Sequence, residues 1–239
     1  MRLQPLTDEA LSERAFQALK EAIITMQLRP GERLIERQIA LQLGISTTPV
    51  RHAIHQLANE GLVTIALNRT AIVRELAPAD IDELYAVREL LEPAALRQAY
   101  ERQGAALLAN MDAILLDSSR ADGAADYVAL ADCNRRFNVA IVAGCTNGRL
   151  RTILDSLHSQ TRQIAAIARG YRQSPPRDHQ EHVRIVAALR GGSWPEVEAA
   201  VVEHLRGSRT EVLLAFERYQ AEQRTADETD IESVARTAG

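Results

Sequence analysis

The segment STTPVRHAIHQLANEG, residues 46–61, constrains the fold of this chain more than any other feature of the sequence. Its apolar residues recur at helical spacing, and Gly61 stands where a glycine commonly ends a helix. Ser46 is suited to cap the Thr48 amide, and Pro49 falls in the first turn, where a missing N–H costs little. The segment therefore predicts a helix that is buried along one face. The predicted buried stripe consists of Val50, Ala53, Ile54 and Leu57.

The residues on either side of this helix predict the rest of the N-terminal domain. A first helix is expected over residues 10–26, and the sequence RPGERL then interrupts the chain. A second helix ends at Gly44, and the apolar runs LVTI and TAIV flank ALNR in the manner of a β-hairpin. Two short helices joined by a tight glycine-containing turn and followed by a hairpin predict a winged helix-turn-helix over residues 1–76.

A winged helix-turn-helix places its second motif helix in the DNA major groove, N-terminus first. The start of the third helix would then meet base edges or phosphates, the second helix would meet phosphates, and the hairpin tip would reach the minor groove. Residues 1–74 hold nine Lys or Arg against seven Asp or Glu, whereas the remainder holds 19 against 25. The alternative for each residue is an ordinary solvated side chain. The predicted DNA-binding residues are Arg37, Thr47, Thr48, Arg51, Asn68 and Arg69.

The sequence after the linker ELAPAD is helical in pattern, and we expect an all-α domain over residues 77–220. The tail at 221–239 is polar and acidic and is expected to be frayed or disordered. The chain is thus predicted to be mainly α. The spans of the five or six expected helices are 80–102, 104–118, 122–142, 148–169, 178–190 and 195–220.

Polar residues interrupt the apolar stripes of this second domain on the inward faces of its helices. A buried arginine needs an anionic partner, because an unpaired buried charge is very costly. Arg88 could pair with Glu92 or with an acid of a neighbouring helix, and a single inward histidine is usually a hydrogen-bonded core residue. Taken together, these residues favour one polar chamber inside a helix bundle, which is a common place for a ligand site. The candidate effector-binding residues are Arg88, Asn134, Asn138, His182 and His204.

Other classes of protein receive less support from the sequence. No apolar run approaches the length of a membrane span, and the N-terminus lacks the apolar core of a signal peptide, so we expect a cytoplasmic protein without a membrane partner. A helical-bundle metal-dependent enzyme would need a catalytic constellation, but HExxH, GxSxG and phosphate-loop motifs are absent. A DNA-binding protein with a non-sensing body is the third alternative, and it leaves the inward polar residues unexplained.

The N-terminal sequence resembles a known family. The sequence from LRPGERL to RTAIV is similar to the family pattern PGxxLxExxLAxxLGVSRTPVREALxxLxxEGLV of GntR-family bacterial transcription regulators. The resemblance implies DNA contacts by Arg37 and Arg51 and a wing role for Asn68 and Arg69. Two positions depart from the pattern: Thr47 replaces a DNA-contacting arginine and His52 replaces a glutamate. We therefore expect an operator that differs from the family norm.

The second domain resembles the FCD ligand-binding domain of the FadR-type subgroup. The sequence VRELLEPAA is similar to the consensus VRxxLExxAA, and EHVRIVAALRGGSWPEVEAAVVEHL is similar to EHxxIxxAIxxGDxxxAxxxMxxHL. The resemblance implies an antiparallel bundle of six or seven helices, a homodimer and a pseudo-palindromic double-stranded DNA operator. It also implies a small organic acid as effector, matches Arg88 to the effector arginine, and suggests a repressor that the effector releases.

The same resemblance implies a divalent metal bound by an Asp and a His four residues apart and by two later histidines. In this sequence His182 and His204 match the later histidines, while Asn134 and Asn138 occupy the Asp and His positions. An amide oxygen is a neutral, hard and weak ligand for transition metals. We therefore predict no cofactor and a metal-free pocket, in which Arg88 binds a carboxylate. The alternative is a metal held by His182, His204, Asn134 and Asn138.

Overall fold

The computed structural model describes residues 8–66, 70–171 and 177–237, with side chains described from residue 10 to residue 225. The chain forms two compact units, of which the first comprises Met1–Ala77 and Ser156–Ala166. The sequence-based division places residues 156–166 in the second domain, so their grouping with the first unit is a result of the tertiary structure. The second unit comprises Pro78–Asp155 and Ile167–Gly239.

The first unit is a winged helix-turn-helix, as predicted. Its three strands form one antiparallel sheet in the order β1-β3-β2, with Arg33 opposite Ile72 and Val63 opposite Val73. The strand β1 was not predicted, because two residues carry no alternating pattern. The elements are α1 (Asp8–Ile24), β1 (Arg33–Leu34), α2 (Glu36–Leu43), α3 (Thr47–Asn59), β2 (Val63–Ile65) and β3 (Ala71–Val73).

The core of the first unit lies where α1 and α2 pack against α3. The four residues of the predicted stripe on α3 are at most 2% exposed, which confirms the face assigned from the sequence. Burying a side chain of this size contributes about 1.5–3 kcal/mol, so the stripe holds α3 against its neighbours. Ser46 is the N-cap residue of α3, as predicted, but its side chain makes no capping hydrogen bond to the Thr48 amide. Ser46 is exposed, and water can satisfy amides at an exposed helix end.

The C-terminal end of α3 is fixed by the segment 156–166. Ser156 Oγ and Gln160 Nε2 each donate a hydrogen bond of 3.0 Å to the carbonyl oxygen of Glu60, the residue that caps α3. Gly61 follows with a φ of +74°, and a Cβ added there would lie 2.9 Å from Gln160 Nε2. The backbone conformation therefore favours glycine at this position, and a Cβ would in addition displace the Gln160 amide.

The second unit is the predicted helical bundle. Helix α4 packs against α9 and α6, α5 packs against α6 and α8, and α8 packs against α9. A 3₁₀ turn at Arg169–Tyr171 follows α7. The helices from Pro78 onward are α4 (Pro78–Gln103), α5 (Ala105–Gly123), α6 (Tyr127–Gly144), α7 (Gly148–Ala168), α8 (Asp178–Gly191) and α9 (Trp194–Thr237). The middle of α7, Ser156–Ala166, belongs to the first unit.

Side-chain caps decide where two of these helices begin. Asp126 accepts hydrogen bonds from the amides of Val128 and Ala129, so α6 begins at Tyr127 rather than near the predicted residue 122. Asn147 caps α7 in the same way. An aspartate or asparagine at this position satisfies amides that lack a partner in the first turn.

The last helix is longer than predicted. The sequence predicts an end near residue 220 and a frayed or disordered tail at 221–239, whereas the backbone of α9 is helical as far as Thr237. Neither glycine nor proline occurs from Ser208 to Ala238, so no residue in that interval breaks the helix. The polar composition that suggested disorder is equally compatible with a solvated helix.

No helix among the described residues is long and apolar enough to cross a membrane.

Candidate DNA interface and effector chamber

The first unit presents four of the six predicted DNA-binding residues on its surface. Thr47 and Thr48 are exposed in the first turn of α3, and Arg51 follows one turn later with 56% of its side chain exposed. Arg37 is exposed near the start of α2. The stripe of α3 faces the core, so the opposite face is free to meet a groove of DNA. The other two predicted residues, Asn68 and Arg69, lie outside the described residues.

Arg51 is held by a carboxylate of the preceding helix. Its Nε donates to both oxygens of Glu36 at 3.1 Å, and its Nη2 donates to Oε2 at 2.8 Å. The hydrogen bonds and charge of Glu36 raise the pKa of Arg51. This fork-to-fork geometry fixes the plane of the guanidinium. The pair joins α2 to α3 across 15 residues, a separation at which the sequence gives no pairing signal.

Arg88 takes part in a second arginine–glutamate pair, inside the helical unit. Its Nε donates to Glu92 Oε1 at 2.6 Å, and both residues are 2% exposed. Its guanidinium lies 4.8 Å from the centre of the Tyr85 ring. Burial lowers the pKa of Arg88, but the Glu92 carboxylate and Tyr85 more than offset that effect and raise it. Arg88 is therefore inward, as predicted, and its charge is balanced within its own helix.

His182 contacts two other aromatic rings, those of Phe137 and His204. Its ring stacks on Phe137 at 3.9 Å between centroids and is 4.8 Å from the ring of His204. Burial, together with the neighbouring His204 and His179, lowers the pKa of His182 well below its ordinary value, while Glu92 acts in the opposite direction. His182 is therefore neutral at pH 7. Its Nε2 is buried and has no hydrogen-bond partner in the described part of the chain.

His204 is oriented by an acidic residue of α8. Its Nδ1 lies 2.7 Å from Glu181 Oε2, and the imidazole is almost completely buried. A carboxylate only accepts hydrogen bonds, so Nδ1 carries the proton of this hydrogen bond. The two histidines that the sequence singled out are thus neighbours, and both have a fixed ring orientation.

The two asparagines lie on α6 on either side of Phe137. Asn138 Nδ2 donates to Asn134 Oδ1 at 3.3 Å, and both side chains are partly exposed. Phe137 connects them to the histidines, because its ring stacks on His182. The structure therefore brings His182 and His204 into direct ring contact and Asn134 into contact with Asn138.

The metal that the family resemblance implies does not fit these residues. Asn134 Oδ1 already accepts a hydrogen bond from Asn138, and two amides with two neutral imidazoles supply no charge to balance a divalent cation. Structural and catalytic metal sites of transition ions usually combine nitrogen or sulfur ligands with at least one anionic group. We therefore assign no metal to the set of Asn134, Asn138, His182 and His204.

Three residues important to the chamber were not among its predicted members. Glu92 follows Arg88 by four residues, which is the spacing of a helical ion pair, and the sequence offered it as one of the possible partners of Arg88 although not as a chamber residue. Glu181 immediately precedes His182 in the sequence, and this adjacency does not predict its contact with His204. Phe137 had been assigned to an apolar stripe, and its stacking on His182 depends on the packing of α6 against α8.

Two family models match this chain. Residues 11–73 match the model described as "Bacterial regulatory proteins, gntR family", and residues 83–207 match the FCD domain. The two matches follow the division between the winged helix-turn-helix and the helical bundle.

Individual relatives agree with these matches. The "Nta operon transcriptional regulator" of Aminobacter aminovorans is 27% identical over 190 residues, which cover 80% of this chain and 89% of the relative. The "Probable D-xylose utilization operon transcriptional repressor" of Paenarthrobacter nicotinovorans is 31% identical over 179 residues, covering 73% and 76%. The structure of E. coli McbR/YncC has the same fold, with a TM-score of 0.73 at 23% identity, covering 87% of this chain and 98% of that one.

Proposed function

The chain belongs to the GntR family of bacterial regulatory proteins and carries an FCD domain, and on this premise we propose that it is a transcriptional repressor whose DNA binding is controlled by a small carboxylate effector. Its relatives are transcription regulators rather than enzymes, so the function is regulation of transcription through DNA binding.

On the DNA side, α3 reads the operator. Arg51 contacts a guanine edge or a phosphate, with Glu36 holding the guanidinium in plane, while Thr47 and Thr48 meet neighbouring groups in the groove. Arg37 contacts the phosphate backbone from α2. Thr47 is shorter than arginine, so the base pair that it faces is specified less strongly than those near Arg51.

The unpartnered Nε2 of His182 is the observation that carries the effector proposal. A buried polar atom without a hydrogen-bond partner costs about 1–3 kcal/mol, so such atoms are usually satisfied by a ligand or by water. This atom belongs to a side chain that is 1% exposed, next to His204. A ligand that bonds to Nε2 would recover this cost, and a purely apolar ligand would not.

The charge balance of the chamber limits which ligands fit. Glu92 already neutralises Arg88, so Arg88 contributes less binding free energy to a carboxylate ligand than an unpaired arginine would. The remaining recognition comes from neutral donors, which are His182 and the amide groups of Asn134 and Asn138. We therefore expect a small acid that also carries hydroxyl or carbonyl groups, since these oxygens accept hydrogen bonds from neutral donors.

A thermal-shift screen of small carboxylic acids on the purified protein tests this proposal. A real site stabilises the folded state in proportion to the logarithm of ligand concentration above Kd. The stabilisation should disappear in His182→Phe, which keeps a ring against Phe137 but lacks Nε2. The exposed His55 provides a matched control, and His55→Phe should respond like the wild type. An acid that stabilises His182→Phe and the wild type equally would place its site elsewhere.

The proposal includes a homodimer on a pseudo-palindromic operator in the cytoplasm. Two heads related by a twofold axis read two half-sites about one helical turn of DNA, or a multiple, apart. The effector favours one head spacing, and this difference in affinity releases the operator. Light scattering on the free protein and footprinting with and without the effector test the dimer, the half-sites and the sign of control.

A regulator whose helical unit does not sense a ligand is the second candidate. The neutral Arg88–Glu92 pair favours it, because a buried pair satisfied within one helix needs no ligand. This second candidate predicts that no acid in the screen stabilises the protein. It also predicts that operator binding is the same with and without the acids.

A further inference from the structure

We propose that this protein binds one divalent transition-metal ion at a site formed by Asp178, Glu181 and His204. The first two residues lie on α8 and the third on α9. The site shares His204 with the set implied by the family resemblance, but its other two ligands are different residues on a different helix. It therefore differs from the chamber set that we found unsuited to a metal.

The geometry brings three ligand atoms together. One carboxylate oxygen from each acid and one ring nitrogen of His204 all lie within 4.8 Å of one another. Asp178 and Glu181 are three residues apart, which places them on the same side of α8. Metal–ligand distances are about 2.0–2.2 Å, so small side-chain rotations would bring all three atoms into coordination.

The charge of this set suits a divalent cation. Two carboxylates supply two negative charges and oxygen ligands of the kind that manganese accepts, and His204 supplies a nitrogen donor that favours zinc or nickel over calcium or magnesium. His204 Nδ1 now shares its proton with Glu181 Oε2 at 2.7 Å. Binding through Nδ1 would replace this proton with the metal.

The surroundings leave space for an ion and a route to it. Glu181 lines an open groove of about 450 Å³ between α8 and α9. Gly207 faces the same carboxylate, and a Cβ there would lie 2.9 Å from Glu181 Oε1. The groove also contains Arg184 and Arg206, but these pair with Glu203 and Glu89 at 3.0 Å. Their positive charge is thus largely compensated.

A separate observation also indicates a missing partner here. Two imidazole nitrogens next to the cluster, His182 Nε2 and His179 Nδ1, are buried and have no hydrogen-bond partner within the described ranges. His179 follows Asp178 directly, and the His182 ring is 4.8 Å from that of His204. Histidine is the commonest metal ligand among the side chains, and buried polar nitrogens are rarely unpaired without a reason. An ion or its bound water would provide such a partner for His179 Nδ1, while His182 Nε2 remains the partner of the proposed effector.

Calorimetric titration of the metal-free full-length protein with Zn²⁺, and separately with Mn²⁺, tests the site. We expect one ion per chain for the wild type and at least tenfold weaker binding in Asp178→Asn and in Glu181→Gln. Glu203→Gln is the matched control, because Glu203 lines the same groove but is not a ligand. It should bind the ion like the wild type. Circular dichroism of each metal-free variant checks that the helices are intact.

Three results would overturn the proposal. The wild type could fail to bind either ion, either acid variant could bind it as tightly as the wild type, or Glu203→Gln could weaken binding as much as the ligand variants do. His182→Phe separates this site from the chamber. An ion that is lost in His182→Phe and retained in Asp178→Asn would lie among the chamber residues, and the site on α8 and α9 would then be wrong.

Discussion

The two arginine–glutamate pairs of this protein show how differently the same chemistry behaves in its two regions. Arg51 and Glu36 lie on the surface of the DNA-binding unit, where the side chains are 56% and 33% exposed. Arg88 and Glu92 lie inside the helical unit, where each side chain is 3% exposed. The first pair joins two helices and the second lies within one turn of a single helix.

The difference between them is the cost of separating the charges. Water can solvate either partner of the exposed pair, so DNA can compete with Glu36 for Arg51 at little cost. The buried pair lacks this option, because a charge left without its partner in the interior is strongly destabilising. We therefore assign a recognition role to Arg51 and a mainly structural role to the Arg88–Glu92 ion pair.

The largest expected effect is on the buried pair. Arg88→Ala leaves the Glu92 carboxylate buried without its cation and should lower the free energy of unfolding by about 3–5 kcal/mol. Replacing both residues with apolar ones, in Arg88→Met with Glu92→Leu, should recover most of this loss. Urea denaturation measures both. An Arg88→Ala protein as stable as the wild type would remove the contrast between the two pairs.

The exposed pair should show the opposite pattern. Arg51→Ala should weaken operator binding about tenfold to hundredfold, because a guanine or phosphate contact is lost. Its free energy of unfolding should hardly change, since Arg51 is largely solvated. Arg14 on α1 is also exposed, and Arg14→Ala serves as the control. If fluorescence anisotropy gave both variants the same affinity, Arg51 would have no special role on DNA.

Acid should affect the buried region through His182. The pKa of this histidine is lowered in the folded state, so below about pH 6.5 the unfolded chain binds a proton that the folded chain excludes. As the pH falls below 6.5, the free energy of unfolding should therefore decrease by about 1.4 kcal/mol per pH unit. Above pH 6.5 the contribution of the neutral His182 to stability is fully present. His182→Phe should lose less stability over this range. An equal loss in the wild type and the variant would assign the titration to other groups.

The smallest expected effect concerns Glu36. Glu36→Gln removes the acceptor that fixes the plane of Arg51, so binding to the operator should weaken severalfold. Binding to unrelated DNA should instead strengthen slightly, because one negative charge near the phosphates is removed. Parallel titrations on the two DNAs measure this difference. Equal strengthening on both would mean that Glu36 only repels DNA and does not position Arg51.

Much of the fold was predictable because it depends on local patterns. The stripe of Val50, Ala53, Ile54 and Leu57 is buried as its spacing predicts, and Arg88 and His182 face inward at the positions that their stripes assign. The helix ends were less predictable. Asp126 begins α6 later than expected, and α9 continues to Thr237 because no residue there stops it. Such ends depend on single capping residues, which the periodicity does not report.

The sequence by itself determined the two-part architecture, the family and the inward direction of the polar residues, since each follows from periodicity or from a motif. Only the tertiary structure decided their partners. It placed Glu36 against Arg51, Phe137 against His182 and Glu181 against His204, and it joined Ser156–Ala166 to the DNA-binding unit. These contacts link residues between about 15 and 100 positions apart, and helical spacing carries information over only a few residues.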